Sequence, residues 1–244
     1  MKTWNDYAKD YDQKVWETGD LDHRETLNPV VFKLLWNVKN KKVLDLGCGQ
    51  WYFSRLLTKQ WASVTGIDIS EDLIKIGNQR NQEQNLKIKY FVSDAANLKD
   101  LENSKFDIVV SNMAFMDIEN IKDTIRECSR ALKDNWFIVF SLINPIFWIS
   151  ERTKDDKGYF LKLIKYKTNS TITNENRGYN FKTIHYHRPI WYYINILVEN
   201  WFYITNYEEI STKYFKGKLI QDKEFFNFIQ EFPSFLIIKA IKKL

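Results

Sequence analysis

The sequence predicts an α/β architecture, a doubly wound and mainly parallel sheet with helices on both faces. Two observations carry that expectation. Short apolar runs alternate along the chain with segments whose apolar residues recur at helical spacing. The first two runs each end near an acid, and the first passes at once into two glycines. Polar groups and bare backbone therefore collect at the carboxyl ends of strands, where open α/β sheets bind their ligands.

The opening residues read as helical cover. Tyr7, Tyr11 and Val15 recur at helical spacing, and Asn28-Pro29 opens a second helix through Val30, Phe32, Leu34 and Leu35. Val43 to Leu46 is a buried strand, Gly47 to Trp51 a turn, and Tyr52 onward a helix with Phe53, Leu56 and Leu57 inward. A second strand, Ser63 to Ile69, contains Asp68 near its end. Ser70 then caps a helix whose first turn holds Glu71 and Asp72. Leu86 to Val92 is the third strand, followed by Ser93-Asp94-Ala95-Ala96. Phe106 to Ser111 is the fourth, with Asn112 to Asp117 beyond its carboxyl end. A helix carrying Ile118, Ile121, Ile125, Cys128 and Leu132 on one face leads to a fifth strand, Phe137 to Leu142. From Asn144 to Arg188 the periodic helices stop, and Phe160 to Tyr166, Ser170 to Thr173 and Asn180 to His185 read as short strands. A helix through Ile194, Leu197 and Val198, a sixth strand Phe202 to Glu208, a short helix Phe225 to Gln230 and a last strand Phe235 to Ile241 complete the chain. This reads as one domain over 1–244: a helical cover (1–40), a ligand-binding core (41–143), an insertion (144–188) and the rest of the sheet (189–244).

Charge and cysteine content narrow the function classes. A net charge of +5 without a long basic run indicates a solvated lysine-rich surface and argues against a nucleic-acid footprint. Cys48 and Cys128 have no metal-ligand spacing and suggest a reducing cytosol. The first residues have no apolar stretch of the signal-peptide kind. The most apolar window, Trp136 to Ile149, is short and is interrupted by Asn144-Pro145, so it does not read as a membrane span. The expectation is a cytoplasmic protein with no metal and no membrane partner.

Asp45 decides between ligand classes. An acid at the end of the first strand repels a pyrophosphate but accepts from an ammonium group, and the dinucleotide fingerprint needs a glycine where Tyr52 stands. Asp68, about 20 residues past the glycine turn, is placed to accept ribose hydroxyls. Asp45-Leu46-Gly47-Cys48-Gly49 resembles the first motif, D-x-G-x-G-x-G, of the class I S-adenosylmethionine-dependent methyltransferases of small-molecule, type 11-like kind. The rest of the chain agrees with that family from about residue 4 to residue 243. The resemblance implies a Rossmann-like sheet of seven strands with the last antiparallel, a lid at the insertion, and S-adenosylmethionine as cofactor. It implies that Asp45, Gly47 and Gly49 frame the methionine end of the cofactor. It also implies that Asp94 and Ala95 meet the adenine, and that Asn112 and Met113 line the wall near the sulfonium. Tyr11, Cys48, Trp51 and Ile69 join the cofactor set by the same resemblance. Tyr7 and Tyr11 read equally as a packing stripe.

The expected activity is in-line methyl transfer to a small molecule. His187 is the candidate general base, with His185 or His23 as alternatives, because histidine titrates near working pH. A residue opening a helix and bonded to backbone is the other reading of His187. The lid aromatics Tyr159, Phe160, Tyr166, Tyr179, Phe181 and Tyr186 suggest an aromatic-lined pocket or the lid's own core. The alternative to an enzyme is a non-catalytic or cofactor-impaired binding protein on the same fold, because Trp51 stands at the third motif glycine. A nucleic-acid or protein methyltransferase fits less well, since Ser111-Asn112-Met113-Ala114-Phe115 lacks the proline pair of amino-methylating enzymes.

Trp51 belongs to a pattern. Glycine is 8 of 244 residues, about half the usual share, while tryptophan is 9 of 244. Trp36, Trp61, Trp136 and Trp201 each follow a predicted helix, and Trp16 is a weaker case. Helix C-termini are where a left-handed glycine is favoured. The expectation is that some of these positions are glycine in the native protein, their UGA codon being read there as glycine.

Overall fold

The computed structural model describes residues 4–15, 18–174, 183–215 and 218–243. Trp16, Tyr179 and Phe181 lie outside the described residues. The first half alternates as expected: α1 (Trp4–Val15), α2 (Asn28–Leu35), β1 (Lys42–Leu46), α3 (Tyr52–Lys59), β2 (Ser63–Asp68), α4 (Glu71–Glu83), β3 (Lys89–Val92), β4 (Phe106–Asn112), α5 (Ile121–Ala131) and β5 (Leu132–Ile143). A single π-helical turn, His23–Leu27, runs into α2, and a 3-10 turn, Phe115–Asp117, follows β4. Then come α6 (Pro145–Trp148), β6 (Ser150–Asp155), β7 (Gly158–Leu163), β8 (Ser170–Asn174), β9 (Thr183–His187), α7 (Ile190–Glu199), β10 (Phe202–Ile210), β11 (Tyr214–Phe215), β12 (Lys218–Leu219), α8 (Lys223–Glu231) and β13 (Phe235–Lys242).

The main sheet has seven strands in the order β10-β13-β5-β4-β1-β2-β3. β13 pairs antiparallel with both β5 and β10, and the β1–β5 ladders are parallel. The strand order reverses between β1 and β4, so their carboxyl ends open a crevice there. Strand side chains alternate between two cores. Leu44, Leu46 and Val109 meet Ile121 and Ile125 of α5 and Ile196 of α7 on one face. Val43, Val64 and Ile108 meet Val31 and Leu35 of α2 and Phe53 and Leu57 of α3 on the other. Burial on both faces is what makes these strands read as continuous apolar runs.

Three local expectations are corrected. β5 begins at Leu132, directly after α5, five residues before the predicted start, and therefore contains Trp136. The left-handed residue there is Asn135 (φ 63), not Trp136, which lies half-buried with Lys41 Nζ 4.3 Å from its ring centroid. β6 is a strand that the polar run Ser150–Asp155 does not announce, paired with β7 through a hairpin closed at Asp155–Gly158. The third correction is to β3, which is confined to Lys89–Val92. Among the described residues, no helix is long and apolar enough to cross a membrane.

Phe140 joins three elements at the centre. It is fully buried in β5, 4.8 Å between ring centroids from Phe115 of the 3-10 turn and 6.2 Å from Tyr193 of α7. Phe140→Ala should lower stability by about 3–5 kcal/mol in urea denaturation. Phe91→Ala on the exposed edge strand β3 should cost less than about 1 kcal/mol. Equal losses would contradict this account of the core.

Candidate active site

The turn between β1 and α3 is held to the end of β2 by backbone. Gly47 and Cys48 both donate to the Ile67 carbonyl (2.8 and 3.0 Å), and Gly49 N–H donates to Asp68 Oδ2 (2.8 Å). To make those bonds the chain takes left-handed conformations at Gly47 (φ 69), Gly49 (φ 56) and Trp51 (φ 75). At the two glycines the absent side chain matters. A Cβ on Gly47 would collide with Ala114 beyond β4, and one on Gly49 would press on the Tyr11 ring at 3.3 Å. The result is a strip of bare backbone at the crevice, under Tyr11 and beside Ala114.

Two buried acids flank it. Asp45 accepts from Ser54 Oγ (2.5 Å), and burial raises its carboxyl to about 7, the neighbouring Asp68 charge adding to the effect. Asp68 accepts from Gly49 N–H and, through Oδ1, from Ser70 N–H (2.8 Å); burial raises it too, against those bonds. Carboxylates raised by burial at a ligand crevice accept a cationic or hydroxylic partner readily. Ile69, beside Asp68, is 62% exposed, an apolar wall at the mouth of β2. Asp94 is exposed and caps its own turn at Ala96 N–H (2.9 Å), with Ala95 buried behind it.

Helix α1 closes over the turn. Ser70 Oγ donates to Asn5 Oδ1 (2.7 Å), and Arg80 bridges Asp12 (2.6 Å) and Gln50 Oε1 (3.3 Å). Tyr11 is thereby set on Gly49. Beneath the crevice lies a polar cluster that the sequence does not signal. Asn112 Nδ2 donates to Tyr52 Oη (2.9 Å) and Asn28 Oδ1 (3.2 Å), while Ser141 Oγ donates to Asn112 Oδ1 (2.5 Å). Asn112 thus ties α2, α3, β4 and β5 together, and Met113 follows it in the left-handed region (φ 62).

The histidines are placed differently from one another. His187 is buried, its Nε2 at 3.0 Å from the Tyr166 carbonyl, and burial lowers its pKa. His185, two residues earlier on β9, is buried with Nδ1 on the Asp117 carboxylate at the turn after β4, and packs edge-on to Trp148. His23 pairs with Asp20 (2.8 Å) and packs against Tyr52. Of the lid aromatics, Tyr159 packs on Phe225 and Phe228 of α8, and Tyr166 Oη accepts from Ile190 N–H (3.0 Å). Among the described residues, no group of three or more His, Cys, Asp or Glu is placed to hold a metal ion.

Trp51 does not enter the crevice. Its indole turns inward, fully buried among Cys48, Ile74 and Tyr90. The crevice thus brings two buried acids and the bare backbone of Gly47 and Gly49 together, a set that fits a ligand carrying an amine and hydroxyls.

Comparison with known proteins agrees. Residues 44–140 match the family model described as a methyltransferase domain. The ubiquinone biosynthesis O-methyltransferase of Coxiella burnetii is 32% identical over 152 residues, 60% of this chain and 62% of that protein. The match thus spans less than two thirds of that curated relative. An S-adenosylmethionine-dependent methyltransferase from Mesorhizobium loti superposes with a TM-score of 0.72 at 22% identity, covering 88% of this chain and 96% of its own. The cyclase SpnF has the same fold, with a TM-score of 0.66 at 13% identity and 100% and 98% coverage.

The raised carboxyl of Asp45 sets a pH dependence. Between its unfolded value near 4 and about 7, the folded protein binds the extra proton, so this group's contribution is greatest below about pH 4 and is lost as pH rises through 7. Asp68 acts in the same sense. Asp45→Asn should match the parent near pH 4 in urea denaturation and exceed it at pH 8 by on the order of 2–4 kcal/mol. Parallel stability curves would contradict the burial argument.

Proposed function

We propose that this chain, whose residues 44–140 match a methyltransferase-domain family model, is a class I S-adenosylmethionine-dependent methyltransferase that transfers a methyl group to an oxygen of a small molecule. The observation that carries the reading is the left-handed glycine strip between two buried acids, Asp45 and Asp68. Asp45 would accept from the cofactor's ammonium and Asp68 from its ribose hydroxyls, each keeping a lone pair beyond its present bonds. Asp94 and Ala95 would meet the adenine edge, with Ile69 against its face and Tyr11 closing above. The cofactor, when bound, supplies an electrophilic methyl group on a sulfonium centre. The chain's own part is positioning and the exclusion of water.

Oxygen as the acceptor atom is supported by the names of the curated relatives and by the pair His185–Asp117. A hydroxyl must lose its proton as it is methylated, and an imidazole held by a carboxylate is suited to take it. We assign that role to His185 in preference to His187. Asp117 holds the His185 ring at Nδ1, whereas His187 is engaged with a backbone carbonyl.

A second reading, a protein that binds the cofactor but does not methylate, is favoured by the presence of a cyclase among proteins of this fold. Ligand binding and turnover separate the two. S-adenosylhomocysteine at saturation should raise the thermal midpoint by about 5 °C or more, and Asp45→Asn should weaken its binding about 10–100-fold. With a panel of small phenols and catechols, S-adenosylhomocysteine release should fall about 100-fold or more in His185→Gln while cofactor affinity stays within about twofold. Binding without release on any phenol would favour the second reading. An unchanged rate in His185→Gln would remove the histidine from the mechanism.

A further inference from the structure

Of the nine tryptophans, Trp16 lies outside the described residues, and half of the other eight have positive φ: Trp36 (60), Trp51 (75), Trp61 (62) and Trp201 (66). A bulky L-residue there is a conformational outlier, because its Cβ crowds the backbone. Aromatic bulk does not explain it. Among the described residues, no phenylalanine and no tyrosine has a positive φ, although the sequence holds 17 and 13 of them. The remaining left-handed non-glycine residues are three asparagines, a serine, a lysine and Met113.

Each site is built for glycine. After α3, Trp61 N–H donates to Thr58 O (2.9 Å) and Ala62 N–H to Leu57 O (3.2 Å), the two bonds of a Schellman motif whose left-handed residue is Trp61. α4 ends in the same two-bond pattern with Asn85, a residue that tolerates this conformation, in that place. After α7, Trp201 takes the equivalent position, its N–H bonded to Val198 O (3.2 Å). Trp36, at φ 60 and ψ −103, is outside every region open to an L side chain. The indoles contribute little in return. Trp36, Trp61 and Trp201 are 87%, 70% and 70% exposed, and Trp61 has Lys39 Nζ 5.3 Å from its centroid.

Trp51 is the converse case, with too little room. Its ring lies face to face with Tyr90 at 3.3 Å between centroids, closer than aromatic pairs favour. A Cβ built on Gly77 of α4 would fall inside the indole, so the ring already crowds that helix below van der Waals contact. Among the described residues, its Nε1 has no oxygen or nitrogen acceptor.

We infer that residues 36, 51, 61 and 201 are glycine in the protein the native cell makes, their codon being read there as glycine. UGA is a codon that one code reads as tryptophan and another as glycine. The inference rests on backbone geometry and not on the methyltransferase reading. At residue 51 it completes the motif D-x-G-x-G-x-G and relieves the packing under α4. The geometry does not extend it to Trp136, where Asn135 is the left-handed residue.

Protein isolated from its own organism should give tryptic peptides 34–39, 43–55 and 60–75 each lighter by the difference between tryptophan and glycine, and peptide 183–213 lighter at residue 201. The mass of tryptophan at any of the four overturns the inference. A second test needs no native source. The recombinant chain as written and its variant with Trp36→Gly, Trp51→Gly, Trp61→Gly and Trp201→Gly are compared by thermal unfolding. The variant should melt higher, each exposed position adding about 1–3 °C. A lower midpoint for the variant overturns the inference. Neither readout depends on cofactor binding, so the inference and the proposed activity fail separately.

Discussion

The rest of the structure depends on how five residues turn between β1 and α3. Gly47 and Cys48 reach the Ile67 carbonyl, and Gly49 reaches the Asp68 carboxylate, only because the backbone goes left-handed repeatedly in that short span. Those bonds lock the first two strands' carboxyl ends together and aim the start of α3 at the crevice. Burial at that turn raises the carboxyls of Asp45 and Asp68, at Asp68 against the bond from Gly49 N–H. The buried charge, the bare backbone and the seat for Tyr11 are thus consequences of one constraint.

Around that turn the chain gathers contacts from distant sequence. Helix α1 is pinned by Asn5 to Ser70 and by Asp12 to Arg80, which also reaches Gln50 inside the turn. Asn112 joins Asn28, Tyr52 and Ser141 beneath it. On β9, His185 meets Asp117 of the turn after β4. The cradle is therefore assembled largely by helices and strands, and its groups are held by packing and by paired polar atoms. Such rigidity is what a site needs when positioning is its main contribution.

Much of this was legible in the sequence because it is local. The apolar runs of β1, β2 and β4 are buried on both faces, and a cap such as Ser70 acts on its own helix, where it accepts from Leu73 N–H. The antiparallel last strand came from family likeness and agrees with the ladders of β13. What was not legible lacks a local signature. Ser150–Asp155 is too polar to announce a strand and is fixed by its partner β7. The π-helical turn at His23–Leu27 has no periodicity of its own. The contact of Ser54 with Asp45 and that of His185 with Asp117 join residues 9 and 68 positions apart, so only the fold brings them together. The tryptophans were the reverse: their placement after helices was visible, but their left-handed backbone and the crowding around Trp51 were not.

On the proposed function, S-adenosylmethionine binds at the glycine strip between Asp45 and Asp68. Amide chemical-shift mapping during an S-adenosylhomocysteine titration tests it most directly, on the chain with Trp51→Gly. The largest shifts should fall on Gly47, Gly49, Ile69, Ala95 and Met113, with Tyr203 and Leu219 unmoved. Shifts centred elsewhere, or none at saturating ligand, would contradict it.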